Sequence, residues 1–205
     1  MPELVLASGS PRRAELLSQI GLDYQVVIPD VDEAVHENEL PMDYVARMSR
    51  QKASVVAAHL QSKTALSEKI VLAADTVVVI DGDILGKPKD KSEAISMLLR
   101  LSGATHQVIT SVSVRCVSRV ETAVVETNVQ FRVLSYAECT RYWATGEPED
   151  KAGAYGIQGL ASIFVEKING SYSNVVGLPL TETALLLLKF GIECLPLHAE
   201  GPTSG

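Results

Sequence analysis

The chain has 205 residues and a formal net charge of −7, with 18 lysines and arginines against 25 aspartates and glutamates. This length suits one well-buried core, and 46% hydrophobic with 21% charged residues is ordinary for a folded soluble protein rather than a disordered one. The acidic balance and the lack of a basic tract argue against a large contact with a nucleic-acid polymer.

The cysteine and histidine content limits the metal chemistry. Three cysteines and four histidines are scattered without the short spacings of a zinc site, and an odd cysteine count does not suggest a disulfide framework. A bound metal would need carboxylate and phosphate oxygens, which suits magnesium or manganese. The first residues lack the features of a signal peptide, and no run reaches the ~18 apolar residues of a membrane span. We therefore expect a cytoplasmic protein that binds no membrane.

The first predicted unit is a strand, a tight loop and a helix. Residues 4–7 form an apolar run typical of a buried strand, and Ser8-Gly9-Ser10 follows as a short loop. Ser10 suits the N-cap position and Pro11 the first helical position, while Gly21 suits the helix end.

This helix start places Arg12 and Arg13 in the first turn. A cation there is disfavoured by roughly 0.3–1 kcal/mol, because the positive end of the helix dipole lies at that turn. A phosphate held by the free backbone N–H groups and both guanidinium groups would explain the two arginines. The alternative is that one arginine pairs with a surface carboxylate and the other points to water.

A strand over residues 24–28 and an acidic loop over 29–33 precede a long helix predicted over 42–63. On this helix an apolar stripe contains Lys52, together with Val45, Met48, Val55 and His59. Lys52 therefore faces the core, where it either extends its ammonium past the core edge or contacts a buried anion.

An apolar run over residues 70–80 is typical of a central strand buried on both faces, but Asp75 and Thr76 interrupt it. A buried aspartate must be paired, hydrogen-bonded or bound to a cation, so Asp75 is a candidate functional residue. The alternatives are a strand that ends at Ala74, or an aspartate satisfied by a neighbouring loop.

The remaining chain alternates strands, helices and turns. The first predicted elements are a turn at Asp81-Gly82, a helix over 91–101 and an antiparallel ribbon of strands 105–117 and 121–133. A helix from the Ser135/Glu138 capping box to 145 and a loop over 146–159 follow. The last predicted elements are a hairpin of strands 163–168 and 171–176, a helix over 181–190, and a flexible tail over 193–205.

Several short motifs, in one order along nearly the whole chain, resemble the Maf family of nucleoside triphosphate pyrophosphatases. They are Ala7-Ser8-Gly9-Ser10-Pro11-Arg12-Arg13, Asp32-Glu33, Arg50-Gln51-Lys52-Ala53, Ala74-Asp75-Thr76-Val77-Val78, Leu85-Gly86-Lys87-Pro88, Ser102-Gly103, Gly146-Glu147-Pro148, Asp150-Lys151-Ala152-Gly153-Ala154-Tyr155-Gly156-Ile157-Gln158-Gly159, Asn169-Gly170-Ser171-Tyr172 and Val176-Gly177-Leu178-Pro179. Each motif alone is weak, but their shared order makes chance similarity improbable.

The resemblance implies an α/β fold of the Maf and inosine triphosphatase type, with a central mixed sheet flanked by helices and a substrate cleft between two lobes. It places the nucleotide pyrophosphatase domain at residues 1–192. It also implies a homodimer that cleaves a nucleoside triphosphate between the α and β phosphates with a divalent cation, Mg or Mn, in nucleotide-pool housekeeping.

The resemblance also assigns roles to individual residues. Asp75 would be the proton acceptor, Glu33 would hold the metal or the water, and Lys52 and Lys87 would supply positive charge. Asp75 would also be the second metal ligand. The substrate-binding residues implied are Ser8, Ser10, Arg12, Arg13, Thr76 and Gln158.

Within the family the chain resembles the branch of dTTP and UTP pyrophosphatases, which has Arg12, Thr76 and Gln158 at its specificity positions. The Gln158 amide offers one donor and one acceptor, which match the N3–H and a ring carbonyl of thymine or uracil. The alternative is a glutamine that bonds only its own loop. Two other functions are weighed, a nucleotide-binding regulator of cell division and a pyrophosphatase acting on 7-methyl-GTP.

Overall fold

The computed structural model describes residues 3–61 and 69–194. Within these residues seven strands form one sheet: β1 (Glu3–Ala7), β2 (Gln25–Val26), β3 (Lys69–Ile80), β4 (Asp83–Leu85), β5 (Thr105–Arg115), β6 (Val120–Phe131) and β7 (Val165–Asn169). The helices are α1 (Pro11–Gln19), α2 (Pro41–Gln61), α3 (Lys91–Leu101), α4 (Tyr136–Trp143), α5 (Tyr172–Val176) and α6 (Leu180–Lys189). Residues 62–63 of the predicted long helix and residues 195–205 of the predicted tail lie outside the described residues.

The sheet is mixed, as predicted. Its order is β2-β1-β3-β5-β6-β7, in which β2, β1 and β3 are parallel and each later neighbour is antiparallel. The predicted ribbon of β5 and β6 is confirmed over the register from Thr105↔Gln130 to Arg115↔Val120. An α/β domain with a mixed sheet between helices is therefore confirmed.

The edge of β3 that faces β1 is only partly covered. β1 pairs with β3 as far as Ala7↔Ala73. Farther along the same edge, the antiparallel strand β4 pairs with β3 from Val78↔Leu85 onward. Among the described strands, none pairs with residues 74–77 on this edge, while β5 covers the opposite edge throughout. The sheet therefore opens beside Asp75 and Thr76.

Strand β3 is buried on both faces, because successive side chains point to opposite sides of a sheet. Leu72, Ala74 and Val78 pack into the large core with α3 and the later helices. Val71 and Val77 pack toward α2 on the other face. Asp75 shares the α2 face, and Thr76 lies on the opposite one.

The stripe of α2 that faces the sheet differs from the prediction at its end. Val45, Met48 and Lys52 are buried as predicted, but Val55 is 40% exposed and His59 is exposed. Val56 is buried instead. The 3.6-residue repeat shifts the buried face by one position over this length, which the three- and four-residue spacing did not capture.

Two further predictions about the later chain need correction. Residues 171–176 are not a strand: Ser171 caps helix α5, and β7 pairs with β6 instead. The predicted loop over 146–159 contains the 3-10 helices Glu147–Asp150 and Ala152–Ala154, and a third, Leu160–Phe164, follows it. Among the helices that the structure describes, none combines the length and apolar character that a membrane crossing requires.

Candidate active site

A cavity of about 780 Å³ lies where the edge of β3 has no partner strand. The cavity is lined by the carboxyl end of β1, the start of α1 and the loops around residues 28–35, 84–87 and 150–158. The residues predicted for the site all line it: Ser8, Ser10, Arg12, Arg13, Glu33, Lys52, Asp75, Thr76, Lys87 and Gln158. The structure thus brings together side chains that are far apart in the chain, and the predicted cleft is present.

The floor of the cavity holds one ammonium group between two carboxylates. Lys52 Nζ lies 2.6 Å from Asp75 Oδ1 and 2.6 Å from Glu33 Oε1. Lys52 and Asp75 are each 8% exposed, whereas Glu33 is exposed on the acidic loop. Of the two uses weighed for Lys52, contact with a buried anion is therefore the one seen.

The two carboxylates differ in acidity because their burial differs. Burial raises the pKa of Asp75 above that of an ordinary aspartate, against the opposing charges of Lys52 and Arg13. Burial also raises the pKa of Glu33, but the hydrogen bond and charge of Lys52 outweigh it and leave that pKa below the usual range. Asp75 is thus the better proton acceptor and Glu33 the more firmly ionised group.

Arg13 forms part of the cavity wall. Its Nε donates to Gly177 O over 2.8 Å, and Nη2 donates to Thr76 Oγ1 over 3.1 Å. Nη1 donates to Ser8 Oγ over 3.3 Å. These three hydrogen bonds fix the orientation of the guanidinium group, and Arg13 still lines the cavity.

Arg12 has a different partner, the exposed Asp150, whose Oδ2 lies 3.3 Å from Nη1. Asp150 Oδ1 in turn accepts from Lys151 Nζ over 2.6 Å. The alternative in which one arginine pairs with a surface carboxylate is therefore realised for Arg12, but Arg13 does not simply point to water.

The start of α1 is open to an anion. Ser10 occupies the N-cap position, as predicted, but its hydroxyl caps no backbone N–H. Its own N–H donates instead to Ser8 Oγ over 3.1 Å. The first-turn N–H groups thus lack the usual side-chain acceptor, and both arginines stand beside them.

The rim of the cavity carries two polar side chains without protein partners. Lys87 and Gln158 are exposed, and neither side chain forms a hydrogen bond or ion pair with another residue in 3–61 and 69–194. The alternative in which Gln158 bonds only its own loop is therefore not seen. Gly153, at a φ of 67°, donates to Gly86 O over 3.0 Å and so ties the 150–158 loop to the backbone beside Lys87.

Four polar residues of the cavity were not among those predicted: Tyr44, Asp150, Lys151 and Tyr155. Asp150 and Lys151 stand inside a family motif in the sequence, so that signal was available. Tyr44 gave no such signal. Its hydroxyl donates to Glu33 O over 3.0 Å and so orders the acidic loop, and burial raises its pKa to about 12.

The carboxylates that could hold a divalent cation are Glu33 and Asp75. Carboxylate oxygens are ligands that magnesium and manganese prefer, and magnesium often takes only one or two of them, with phosphate oxygens and water completing its shell. No group of three or more His, Cys, Asp or Glu side chains suited to a metal exists in the described part of the chain. The donor set therefore fits a cation that arrives with a phosphate ligand.

Comparison with known proteins places the chain among close relatives. The family model described as "Maf-like protein" matches residues 3–190. A Hahella chejuensis protein named dTTP/UTP pyrophosphatase is 50% identical over 93% of each chain. A Vibrio cholerae protein of the same name is 52% identical over 92% of this chain and 98% of its own. Among solved structures, the Staphylococcus aureus Ham1 protein has a TM-score of 0.39 and 19% identity, covering 63% of this chain and 70% of its own.

Proposed function

Since this chain belongs to the Maf-like protein family, we propose that it hydrolyses nucleoside triphosphates to the monophosphate and pyrophosphate. Its substrates are dTTP and UTP, the nucleotides for which the Hahella and Vibrio relatives are named. The observation that carries this function is the Lys52 ammonium, 2.6 Å from both Asp75 and Glu33, on the floor of a cavity bordered by further cations.

Asp75 is the proton acceptor in this proposal. A general base works best when its pKa approaches the working pH, and burial moves the pKa of Asp75 in that direction. The attacking water gives a proton to Asp75 as the α–β phosphoanhydride bond breaks and pyrophosphate leaves. Lys52 holds the Asp75 carboxylate in place through the 2.6 Å contact.

The cations of the cavity bind the triphosphate. Phosphoryl transfer needs little covalent chemistry from the protein, because positioned positive charge stabilises the phosphate oxygens in the transition state. Arg13, held by Gly177 and Thr76, is a rigid clamp for one phosphate. Lys87, exposed at the rim, offers a second positive charge to the phosphates.

Glu33 and Asp75 would hold the divalent cation, magnesium or manganese. When bound, the cation neutralises phosphate charge and helps to orient the substrate. Glu33 suits this role because Lys52 keeps its pKa low and thus keeps it ionised.

Base recognition falls to Gln158 at the rim of the cavity. Gln158 presents an amide that bonds no other residue in the described part of the chain, and its donor and acceptor match the N3–H and a carbonyl of uracil or thymine. Thr76, the second specificity position, accepts a hydrogen bond from Arg13. Arg12, the third, contacts Asp150 at the start of the loop that carries Gln158. A homodimer, which the family resemblance implies, and the cytoplasmic location expected from the sequence complete the proposal.

The substrate class is tested with a panel of nucleoside triphosphates that includes dTTP, UTP, CTP, GTP and 7-methyl-GTP, each with magnesium or manganese. Pyrophosphate and orthophosphate are measured separately. We expect pyrophosphate from dTTP and UTP at the highest rates. Preference for 7-methyl-GTP would overturn the substrate assignment, and binding without turnover of any nucleotide would favour the regulator. Light scattering after size-exclusion chromatography tests the dimer.

A further inference from the structure

Gln158 lies in a loop between the 3-10 helices Ala152–Ala154 and Leu160–Phe164. Its side chain is exposed and lines the cavity, and within the described residues it has no hydrogen-bond partner. The position of its amide therefore depends on how firmly the backbone is held on either side.

The backbone before Gln158 is held by Tyr142, a residue of α4 that is 5% exposed. Gly156 N–H donates to Tyr142 Oη over 3.2 Å. The same hydroxyl donates to Glu147 Oε1 over 2.8 Å. Burial, and after it the hydrogen bond to Glu147, raises the pKa of Tyr142, so the phenol keeps the proton that it donates.

The backbone after Gln158 is held by Glu147. Leu160 N–H donates to Glu147 Oε2 over 2.9 Å. The carboxylate also occupies the space that a Cβ at Gly159 would need, so the loop closes on it only with glycine there. Gly159 N–H donates to Gly156 O over 3.1 Å and completes a turn around Gln158.

We infer that Glu147 and Tyr142 are positioning residues that set the base preference of the enzyme through Gln158. They fasten the backbone on both sides of Gln158 and leave its amide free for the base. Without these contacts the loop would have to become ordered when the nucleotide binds. The entropy lost in that ordering would reduce the free energy gained from the hydrogen bonds between Gln158 and the base. The inference rests on the proposed function, because it specifies how the same cavity recognises its substrate.

The test compares kcat/KM for UTP with kcat/KM for N3-methyl-UTP, which lacks the N3–H donor but keeps the triphosphate. The variants are Gln158→Ala, Tyr142→Phe and Glu147→Gln. We expect Gln158→Ala to reduce the preference for UTP by about tenfold, because a site built to hydrogen-bond a substrate group discriminates through that bond. Tyr142→Phe and Glu147→Gln should each reduce it about three- to tenfold.

A double variant separates positioning from general damage. Once Gln158 is replaced by alanine, adding Glu147→Gln should leave the preference unchanged, because the group that Glu147 positions is gone. Glu149→Gln is the matched control, since Glu149 is exposed and carries the same charge, whereas the carboxylate that accepts from the 156–161 loop is that of Glu147. It should keep the wild-type preference.

A merely structural role would lower the melting temperature and reduce kcat/KM for both nucleotides equally. The inference is overturned if Tyr142→Phe and Glu147→Gln leave the ratio at its wild-type value, or if Gln158→Ala does. Tyr142→Phe removes a single hydroxyl, so it carries the test if Glu147→Gln fails to fold. A wild-type enzyme that releases no pyrophosphate from UTP would refute the proposed function itself, which is a different result.

Discussion

Replacement of Asp75 by asparagine separates the chemistry of the site from its stability. Asp75→Asn keeps the size of the side chain but removes the proton acceptor. We expect kcat for UTP to fall by about 10²- to 10⁴-fold, the usual contribution of a general base. KM should change much less, because Arg13 and Lys87 still bind the phosphates and Glu33 still offers a carboxylate to the divalent cation.

The expected effect on stability follows from the contacts of Lys52. Removing one partner of a buried ion pair costs about 3–5 kcal/mol when the other charge is left unpaired. Here Lys52 Nζ keeps its 2.6 Å contact with Glu33 Oε1. Asparagine is uncharged, so the variant also avoids the free-energy cost of burying a carboxylate, the same cost that raises the pKa of Asp75. We therefore expect the free energy of unfolding to change by no more than about 1 kcal/mol.

The assay measures pyrophosphate release from UTP under saturating conditions, together with urea unfolding of each variant. Asp83→Asn is the control, because Asp83 is exposed on β4, lies outside the cavity and accepts from Arg100 over 2.9 Å. It should keep the wild-type kcat. A kcat for Asp75→Asn within a few-fold of wild type would refute the assignment of Asp75 as proton acceptor.

Three further results are expected. Because burial raises the pKa of Asp75 in the free enzyme, the acid limb of the kcat/KM profile should lie above the ordinary aspartate value of about 3.9, with kcat/KM rising as pH rises; a limb at or below that value would contradict this. Arg13→Lys should lower kcat/KM for UTP at least about tenfold, because an ammonium cannot replace the guanidinium fork; a loss under twofold would count against the clamp. Burial lowers the pKa of His106 to about 4. The folded state thus favours neutral His106, and this preference contributes fully to the free energy of unfolding above pH ~6.5. As the pH falls toward 4, the free energy of unfolding decreases by up to roughly 3 kcal/mol. Urea unfolding at pH 7 and 4.5 measures this, and His106→Phe should abolish that part of the pH dependence.

The catalytic floor could be predicted from the sequence because its residues conflict with their surroundings. An aspartate inside an apolar strand and a lysine on the apolar face of a helix are both local contradictions. The structure places Asp75 and Lys52 2.6 Å apart. Their contact itself was not predictable from spacing, since it depends on how α2 packs across β3.

The error at residues 171–176 has a tertiary cause. A five-residue helix shows no periodicity that could distinguish it from a strand after a turn. Ser171 Oγ accepts from Asn174 N–H over 3.3 Å, and the Asn174 amide donates to Val108 O and Thr127 Oγ1 over 3.0 Å each. These contacts with β5 and β6 decide the local conformation, and they are invisible in the segment alone.

The contacts of Glu147 escaped prediction for a related reason. Its carboxylate reaches backbone N–H groups beyond the following turn, such as Leu160 N–H, and no residue type in between announces that contact. The motif around Gln158 was recognisable by resemblance, but the hydrogen bonds that hold it required coordinates.

The central claim is that this cavity cleaves the α–β bond of a pyrimidine nucleoside triphosphate. The most direct measurement is phosphorus NMR of the products formed from UTP and magnesium by the wild-type protein. We predict UMP and pyrophosphate in equal amounts, with no orthophosphate. Formation of UDP and orthophosphate would place cleavage at the β–γ bond and contradict the account.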